Sequence, residues 1–266
     1  IKLSAFMMPP PFDFVKLFTF RPEMVLCDLF AVTGKQWFDA FYRYGVPPGR
    51  MVLTGSPAYD SILRQKRRSD PKQLPKEARN LIGKKIVLFP QSPMSEGGER
   101  SIKNEDMIYK NIIESCSNIE GVELLIKVHP RDSIEHVSSR IKSIGLGGLR
   151  YHIYKGGTVD DILPFCSVLV TPGSTTLLNA LIHDVPAILI GYLDFLYPPR
   201  FDESDVTVSK RPEDTAGLIR NAIFDDGTRN QMIEKGRKFL EKLVYKPNAG
   251  SARVIAGLVE KLASRR

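Results

Sequence analysis

The sequence predicts an α/β protein built on a doubly wound parallel sheet, preceded by the end of an incomplete amino-terminal α/β domain. Three observations predict it. From residue 84 onward, short β-branched runs alternate with helix-length amphipathic stretches. In the middle, residues 168–171 and 187–190 read as buried strands and bracket about 14 residues of helix-like pattern. That stretch opens on the small-residue turn Pro172-Gly173-Ser174-Thr175-Thr176, a strand, turn, helix, strand unit. Finally, three polar loops each follow the carboxyl end of a predicted strand, where open parallel sheets bind ligands.

Taken in order, residues 1–22 are irregular, because Met7-Met8-Pro9-Pro10-Pro11 suits neither a helix nor a central strand. The stretch still carries Phe6, Phe12, Phe14, Phe18 and Phe20, and is expected to pack against something. Residues 24–32 read as a buried strand. A helix over 35–44 follows, with Trp37, Phe38, Phe41 and Tyr42 at helical spacing, and then a short strand over 51–55. These are expected to be the last two units of a Rossmann-type domain, consistent with a chain that begins at Ile1. Residues 60–76, charged and with two prolines near their end, read as a linker. Further strands are expected at 86–90, 122–128, 149–154 and 206–208. Helices are expected at 104–117, 134–144, 159–165, 212–224, 228–244 and 252–263, with Asp160-Asp161 in the first turn of one, where acids suit the helix dipole. The expected division is 1–57, a linker over 58–82, and 83–266.

At 266 residues, 42% apolar and 26% charged, the chain has ample material for a core. A net charge of +8 and a pI near 9.3 suit phosphorylated small molecules, an anionic membrane surface or nucleic acid, and equally a basic solubilising surface. Cys27, Cys116 and Cys166 lie far apart with no CxxC, which argues against a zinc site or disulfide framework and for a reducing compartment. No apolar run approaches the ~18 residues of a bilayer span, and no signal peptide pattern is present.

The chemistry sits in three loops: residues 91–100, 129–132 and 172–176. The first offers Gln91, Ser92, Gly97, Gly98 and Arg100; the second, His129 and Arg131, next to Lys127 at the strand end. The third offers Gly173, Ser174, Thr175 and Thr176, with Asn179 one turn further on. A diphosphate wants several N–H and O–H donors and one or two cations close together, and a parallel sheet gathers these loops on one rim. Each residue also has a plainer reading. His129 suits a hydrogen-bonded structural role, and Ser174 to Thr176 suit helix capping, which does not exclude phosphate binding. His136, His152 and His183 read as structural or surface residues, and Glu96, Glu99, Asp194, Asp202 and Glu203 as mostly solvated loop acids. No GxxxxGK[ST], HExxH or EF-hand pattern occurs, no protease triad is apparent, and no nucleic-acid-reading motif is visible.

Lys127-Val-His129-Pro130-Arg131-Asp132, followed by the run from Val168 through Pro172-Gly173-Ser174-Thr175 to Pro186, resembles the carboxyl-terminal domain of GT-B glycosyltransferases. Among these, surface- or capsule-polysaccharide transferases, CDP-glycerol glycerophosphotransferases and non-hydrolysing UDP-N-acetylglucosamine 2-epimerases are most similar. The stretches from Asp28 to Gly34 and from Arg50 to Asp60 resemble the end of the amino-terminal domain in those proteins. The resemblance implies an acceptor-side remnant over 1–57 and a nucleotide-sugar-binding domain over 83–266. It places His129 at the donor phosphate as the candidate for leaving-group stabilisation, and Ser174 and Thr175 at the diphosphate. The loop after Pro90 would approach the nucleotide or sugar. It implies a metal-independent glycosyltransferase without a cofactor, the nucleotide-sugar donor being a substrate. The acceptor would be a glycan or a lipid-linked molecule, nucleic acid would not be a partner, and the location would be cytoplasmic or peripheral at the inner face of the membrane. Two departures stand out. Asn179 occupies the position where many members carry a ribose-binding Glu, and Pro-Gly-Ser-Thr replaces the paired-glycine turn of the epimerases. Two alternatives stay open: a sugar-nucleotide epimerase, and a nucleotide-binding subunit that needs a partner chain. The catalytic base is unassigned.

Overall fold

A computed structural model of the chain describes residues 3–6, 28–43, 45–65, 70–74, 76–92, 99–173, 175–193, 206–244 and 250–264. The chain divides into two compact units: Ile1–Arg67 with Leu196–Phe201 and Arg237–Arg266, and Arg68–Phe195 with Asp202–Gly236.

The first unit holds a parallel sheet of β1 (Leu3–Phe6), β2 (Leu29–Val32) and β3 (Met51–Leu53), with β2 central. Of the strand expected over 24–32, residues 24–27 with Cys27 lie outside the described residues, as do Phe12, Phe14, Phe18, Phe20 and the side chain of Phe6. Helix α1 (Lys35–Arg43) buries Trp37 and Phe41, one turn apart and therefore on one face. Their rings stack at 5.6 Å, and Phe30 of β2 meets Phe41 edge-on at 4.8 Å. Just before α1, a Cβ on Gly34 would collide with the Leu243 carbonyl, so only glycine fits.

The expected linker is only partly one. Pro57–Gln65 forms helix α2, with proline at a first-turn position it tolerates, and buries Tyr59, Asp60 and Ile62. The Asp60 carboxylate accepts from the Ser251 and Ala252 N–H groups at 2.7 and 3.4 Å and from the Ser251 hydroxyl at 3.1 Å. It thereby caps the last helix, Ser251–Ala263, which accounts for the second departure from the expected division. Residues 237–266, assigned by sequence to the 83–266 domain, group with the first unit. The cap joins positions 191 residues apart, beyond the reach of any local pattern.

In the second unit, α3 (Lys76–Arg79) precedes a six-stranded sheet of β4 (Lys85–Pro90), β5 (Val122–Lys127), β6 (His152–Tyr154), β7 (Val168–Thr171), β8 (Ala187–Ile190) and β9 (Thr207–Ser209). All pairings are parallel, in the order β6-β5-β4-β7-β8-β9. The connecting helices are α4 (Glu99–Ser117), α5 (Ile134–Ser143), α6 (Val159–Ile162), α7 (Thr176–Ile182) and α8 (Asp214–Phe224); α9 (Asp226–Leu243) and α10 (Ser251–Ala263) follow. Strands β7 and β8 are buried along their whole length, as sheets covered on both faces require. Val87, Ile126, Val170 and Ile188 pack with Ile108, Ile112 and Ile113 of α4 and Ile219 of α8 into one core cluster.

Strand order reverses between β4 and β7. That is a topological switch point, and β4, β5 and β7 are neighbours there. Pairing of Pro90 with Lys127, and of Lys127 with Tyr154, levels their carboxyl ends. Several elements are shorter or shifted relative to expectation. Strand β6 keeps only His152–Tyr154 of 149–154, and β9 is Thr207–Ser209 rather than 206–208. The central helix is seven residues, Thr176–Ile182. It stops at His183, and Asp184 turns the chain at φ 57° before Pro186, whose missing N–H and fixed φ cannot continue a helix.

Candidate functional site

The ends of β4 and β5 carry a closed hydrogen-bond network. Gln91, the residue after β4, continues the ladder by donating its N–H to the Lys127 carbonyl at 2.9 Å. Its side chain is buried and used on both sides. Oε1 accepts the His129 N–H at 2.9 Å, while Nε2 donates to Asp132 Oδ2 at 2.8 Å and, more weakly, to Glu105 Oε1 at 3.4 Å. Gln91 thus braces the neighbouring loop from within. Asp132 also accepts from the Ser133 N–H at 2.8 Å and pairs with His136 Nδ1 at 2.7 Å. Burial works against the Asp132 carboxylate, but the bonds from His136, Ser133 and Gln91 outweigh it and hold its pKa below the usual range. Glu105 goes the other way: burial pushes it up, against the Gln91 bond and the nearby Arg140 charge.

Within this frame His129 is half-buried, and its Nδ1 accepts from the Arg131 N–H at 3.2 Å. An accepting Nδ1 places the proton of the neutral ring on Nε2. The imidazole is therefore a donor, of the kind that suits a phosphate oxygen. Lys127 ends β5 almost fully buried, with its ammonium 5.7 Å from the centroid of the Tyr154 ring. Burial pushes its pKa down, and the charge of Asp161 opposes that. An ammonium so desolvated gains from an arriving anion. Arg131 is exposed, and Ser92 is half-buried. Arg100 stands in the first turn of α4, with its side chain outside the described residues.

Across the switch point, β7 ends in a buried Thr171 and Pro172, and Gly173 adopts φ 118°, a conformation that favours glycine. Ser174 lies outside the described residues. Thr175 is exposed and its hydroxyl does not cap α7; its carbonyl instead accepts the Leu178 N–H at 3.0 Å. Thr176 begins the helix, half-buried. With two turns of helix behind it, this turn offers an anion its N–H and O–H groups more than a long macrodipole.

Asn179 is placed differently. Its Nδ2 donates to both oxygens of Asp160 at 2.9 and 3.0 Å, and His183 Nε2 meets the same carboxylate at 3.2 Å. Asp160, read from sequence as a dipole-suited acid, is in fact buried and joins α6 to α7. The Asn and His recur at i and i+4 on one helix face, but nothing local names the acid they face. His183 is structural, as expected. His136 holds Asp132, and His152 pairs with Glu123 at 3.0 Å. Glu105 and Asp132 are the other members of the network that sequence reasoning passed over, the signal being only a polar face on α4. The acids Glu96, Asp194, Asp202 and Glu203 lie outside the described residues, which nowhere gather three His, Cys, Asp or Glu side chains into a metal site.

No protein-family model and no curated protein sequence matches this chain. Solved structures do. A putative UDP-N-acetylglucosamine 2-epimerase from Listeria monocytogenes superposes with a TM-score of 0.66 at 15% identity, over 90% of this chain and 61% of the other. S. aureus MnaA, solved with UDP, gives 0.65 at 16% identity, over 90% and 62%. The wall teichoic acid polymerase TagF, in a structure soaked with CDPG, gives 0.57 at 15% identity, over 96% and 61%. The fold is of the GT-B type. The chain spans about three fifths of the length of these GT-B structures. The order of its six-stranded sheet, with a reversal between β4 and β7, is that of an open, doubly wound parallel sheet.

Proposed function

We propose that the chain forms the nucleotide-sugar-binding part of a metal-independent GT-B glycosyltransferase, which needs no cofactor and builds a surface or lipid-linked glycan. The observation that carries this reading is the adjacency of β5, β4 and β7 at the switch point. That adjacency supports a reading in which a donor imidazole and a desolvated ammonium serve one side of the donor phosphates and the Gly173 turn the other. In the reaction, an acceptor hydroxyl attacks the anomeric carbon as the bond to the donor phosphate breaks. The leaving nucleoside diphosphate takes the electron pair, and the acceptor proton passes to a base on the acceptor side. His129 Nε2–H, Lys127 and the N–H and O–H groups of the turn stabilise the developing phosphate charge, which is where electrostatic catalysis has most effect. Sugar nucleotides rather than nucleic acid are the proposed partners. Among the described residues no helix is long and apolar enough to cross a membrane.

A thermal-shift panel of UDP, CDP, GDP, dTDP and CMP tests the reading, since a ligand that binds only the native state raises its apparent stability. The bound nucleotide should lose roughly tenfold in affinity in His129→Ala and in Thr175→Ala. Unchanged affinity in both variants would sink the site. A second reading, a sugar-nucleotide epimerase, draws on the higher superposition scores of the two epimerase-side structures. Incubation with UDP-N-acetylglucosamine and no acceptor separates the two: a 2-epimer product selects the epimerase.

A further inference from the structure

We propose that Gln91 is a positioning residue for His129, holding the turn of residues 129–132 in the arrangement that keeps the imidazole proton on Nε2. The proposal deepens the reading of His129 as a phosphate donor, and its core can be tested without any ligand.

Gln91 is 3% exposed, and its side-chain nitrogen faces two carboxylates, Asp132 Oδ2 at 2.8 Å and Glu105 Oε1 at 3.4 Å. Turned the other way, the amide would set its oxygen against both acids and strand two acceptors in a buried site. The carboxylates therefore fix the amide, and the amide presents Oε1 to the His129 N–H at 2.9 Å. One side chain thus binds the first and last residues of the turn. Between them the turn closes through Asp132 N–H to the His129 carbonyl at 3.0 Å, and the Arg131 N–H reaches His129 Nδ1 at 3.2 Å. That last bond selects the tautomer, and it depends on where Arg131 is held. Asp132 is anchored in its turn by the Ser133 N–H and by His136 on α5. A chain of bonds therefore runs from α5 through Asp132 and Gln91 to His129. Glutamine suits the central place because it alone among side chains of this length both donates to an acid and accepts from a backbone N–H without charge.

The test uses the full chain. Histidine ring nitrogen NMR, with the His129 signals assigned by their absence in His129→Ala, reports the tautomer of the neutral ring. Wild type should show Nε2–H. Gln91→Met, which loses all three side-chain bonds, should show a mixture of tautomers. Gln91→Glu keeps the acceptor for His129 but adds a carboxylate beside Asp132 and Glu105, and should disturb the ring as well; it carries the test should the Met variant fail a melting-curve check of folding. Whichever nucleotide binds wild type should bind Gln91→Met about tenfold more weakly. An unaltered Nε2–H tautomer in the folded variants overturns the positioning role, whatever the nucleotide result. If neither UDP nor CDP binds wild type while the tautomer shifts as stated, the positioning role stands and the functional reading fails instead.

Discussion

Replacing Lys127 with methionine should move stability and ligand affinity in opposite directions. The ammonium ends β5 in an 8% exposed position, over the Tyr154 ring at 5.7 Å, and burial has lowered its pKa from 10.5. Because the unfolded chain holds that proton more tightly than the folded one, the charged form is penalised in the fold at neutral pH. The penalty is relieved only as pH rises from the lowered value towards 10.5. Methionine keeps an unbranched apolar stem against Tyr154 and removes the charge. It gives up a cation–π contact worth roughly 0.5–2 kcal/mol and sheds a desolvation penalty of somewhat larger size. A net gain of about 1 kcal/mol corresponds to a melting temperature higher by roughly 2–4 °C for a chain of this size. Nucleotide affinity should fall roughly ten- to hundredfold, the range for losing one charge-assisted bond. Melting curves at pH 7 and nucleotide titration read the two effects on the same sample. A less stable variant that binds nucleotide as tightly as wild type would refute the reasoning, because Lys127 would then be a structural cation.

Two further substitutions test the frame around the site. Glu105→Gln should stabilise the protein at pH 7, since burial raises the carboxyl above its ordinary value of 4.5 and the folded state therefore resists ionisation. The gain should shrink as pH falls through the raised pKa and vanish below about 4.5; a constant gain at all pH values would count against it. Asp60→Ala removes the three bonds that cap α10 and should cost about 2 kcal/mol in denaturant titration, while Asp60→Asn, which keeps an acceptor, should recover most of it. Equal losses in both would mean that the carboxylate charge matters rather than the cap.

Much of the architecture was legible because it is written in local periodicity. The buried strands announce themselves as β-branched runs, and Trp37 with Phe41, or Ile108 with Ile112, at helical spacing. The placing of the candidate site was also legible, since His129 and Gly173 directly follow such runs and a parallel sheet carries them to one edge. Less legible was what each polar residue would face. Gln91 read as a ligand residue, and its amide reaches Asp132 and the His129 N–H. Asn179 read as a ligand residue and spends its amide on Asp160. Residues 58–65 read as the start of a linker because the stretch from 60 to 76 is charged and ends near two prolines, yet Tyr59, Asp60 and Ile62 turn inward on a helix. A polar side chain has the same appearance in a sequence whether its partner is water, a phosphate or a distant carboxylate.

Sequence alone therefore determined the α/β class, most strands and helices, and the small-residue turn at Pro172-Gly173 as the start of the central helix. Hydrophobic burial repeats with the period of the backbone, and neighbours in the chain reveal it. Only the tertiary structure decided that α10 belongs with the first unit and that the central helix stops after seven residues. The same holds for the proton on His129, which sits on Nε2 because the Arg131 N–H occupies Nδ1. The α10 cap joins residues 191 positions apart, and the Gln91 bonds that hold the turn around His129 join residues 38 and 41 positions apart, so these contacts exist only once the chain has folded and brought their partners together.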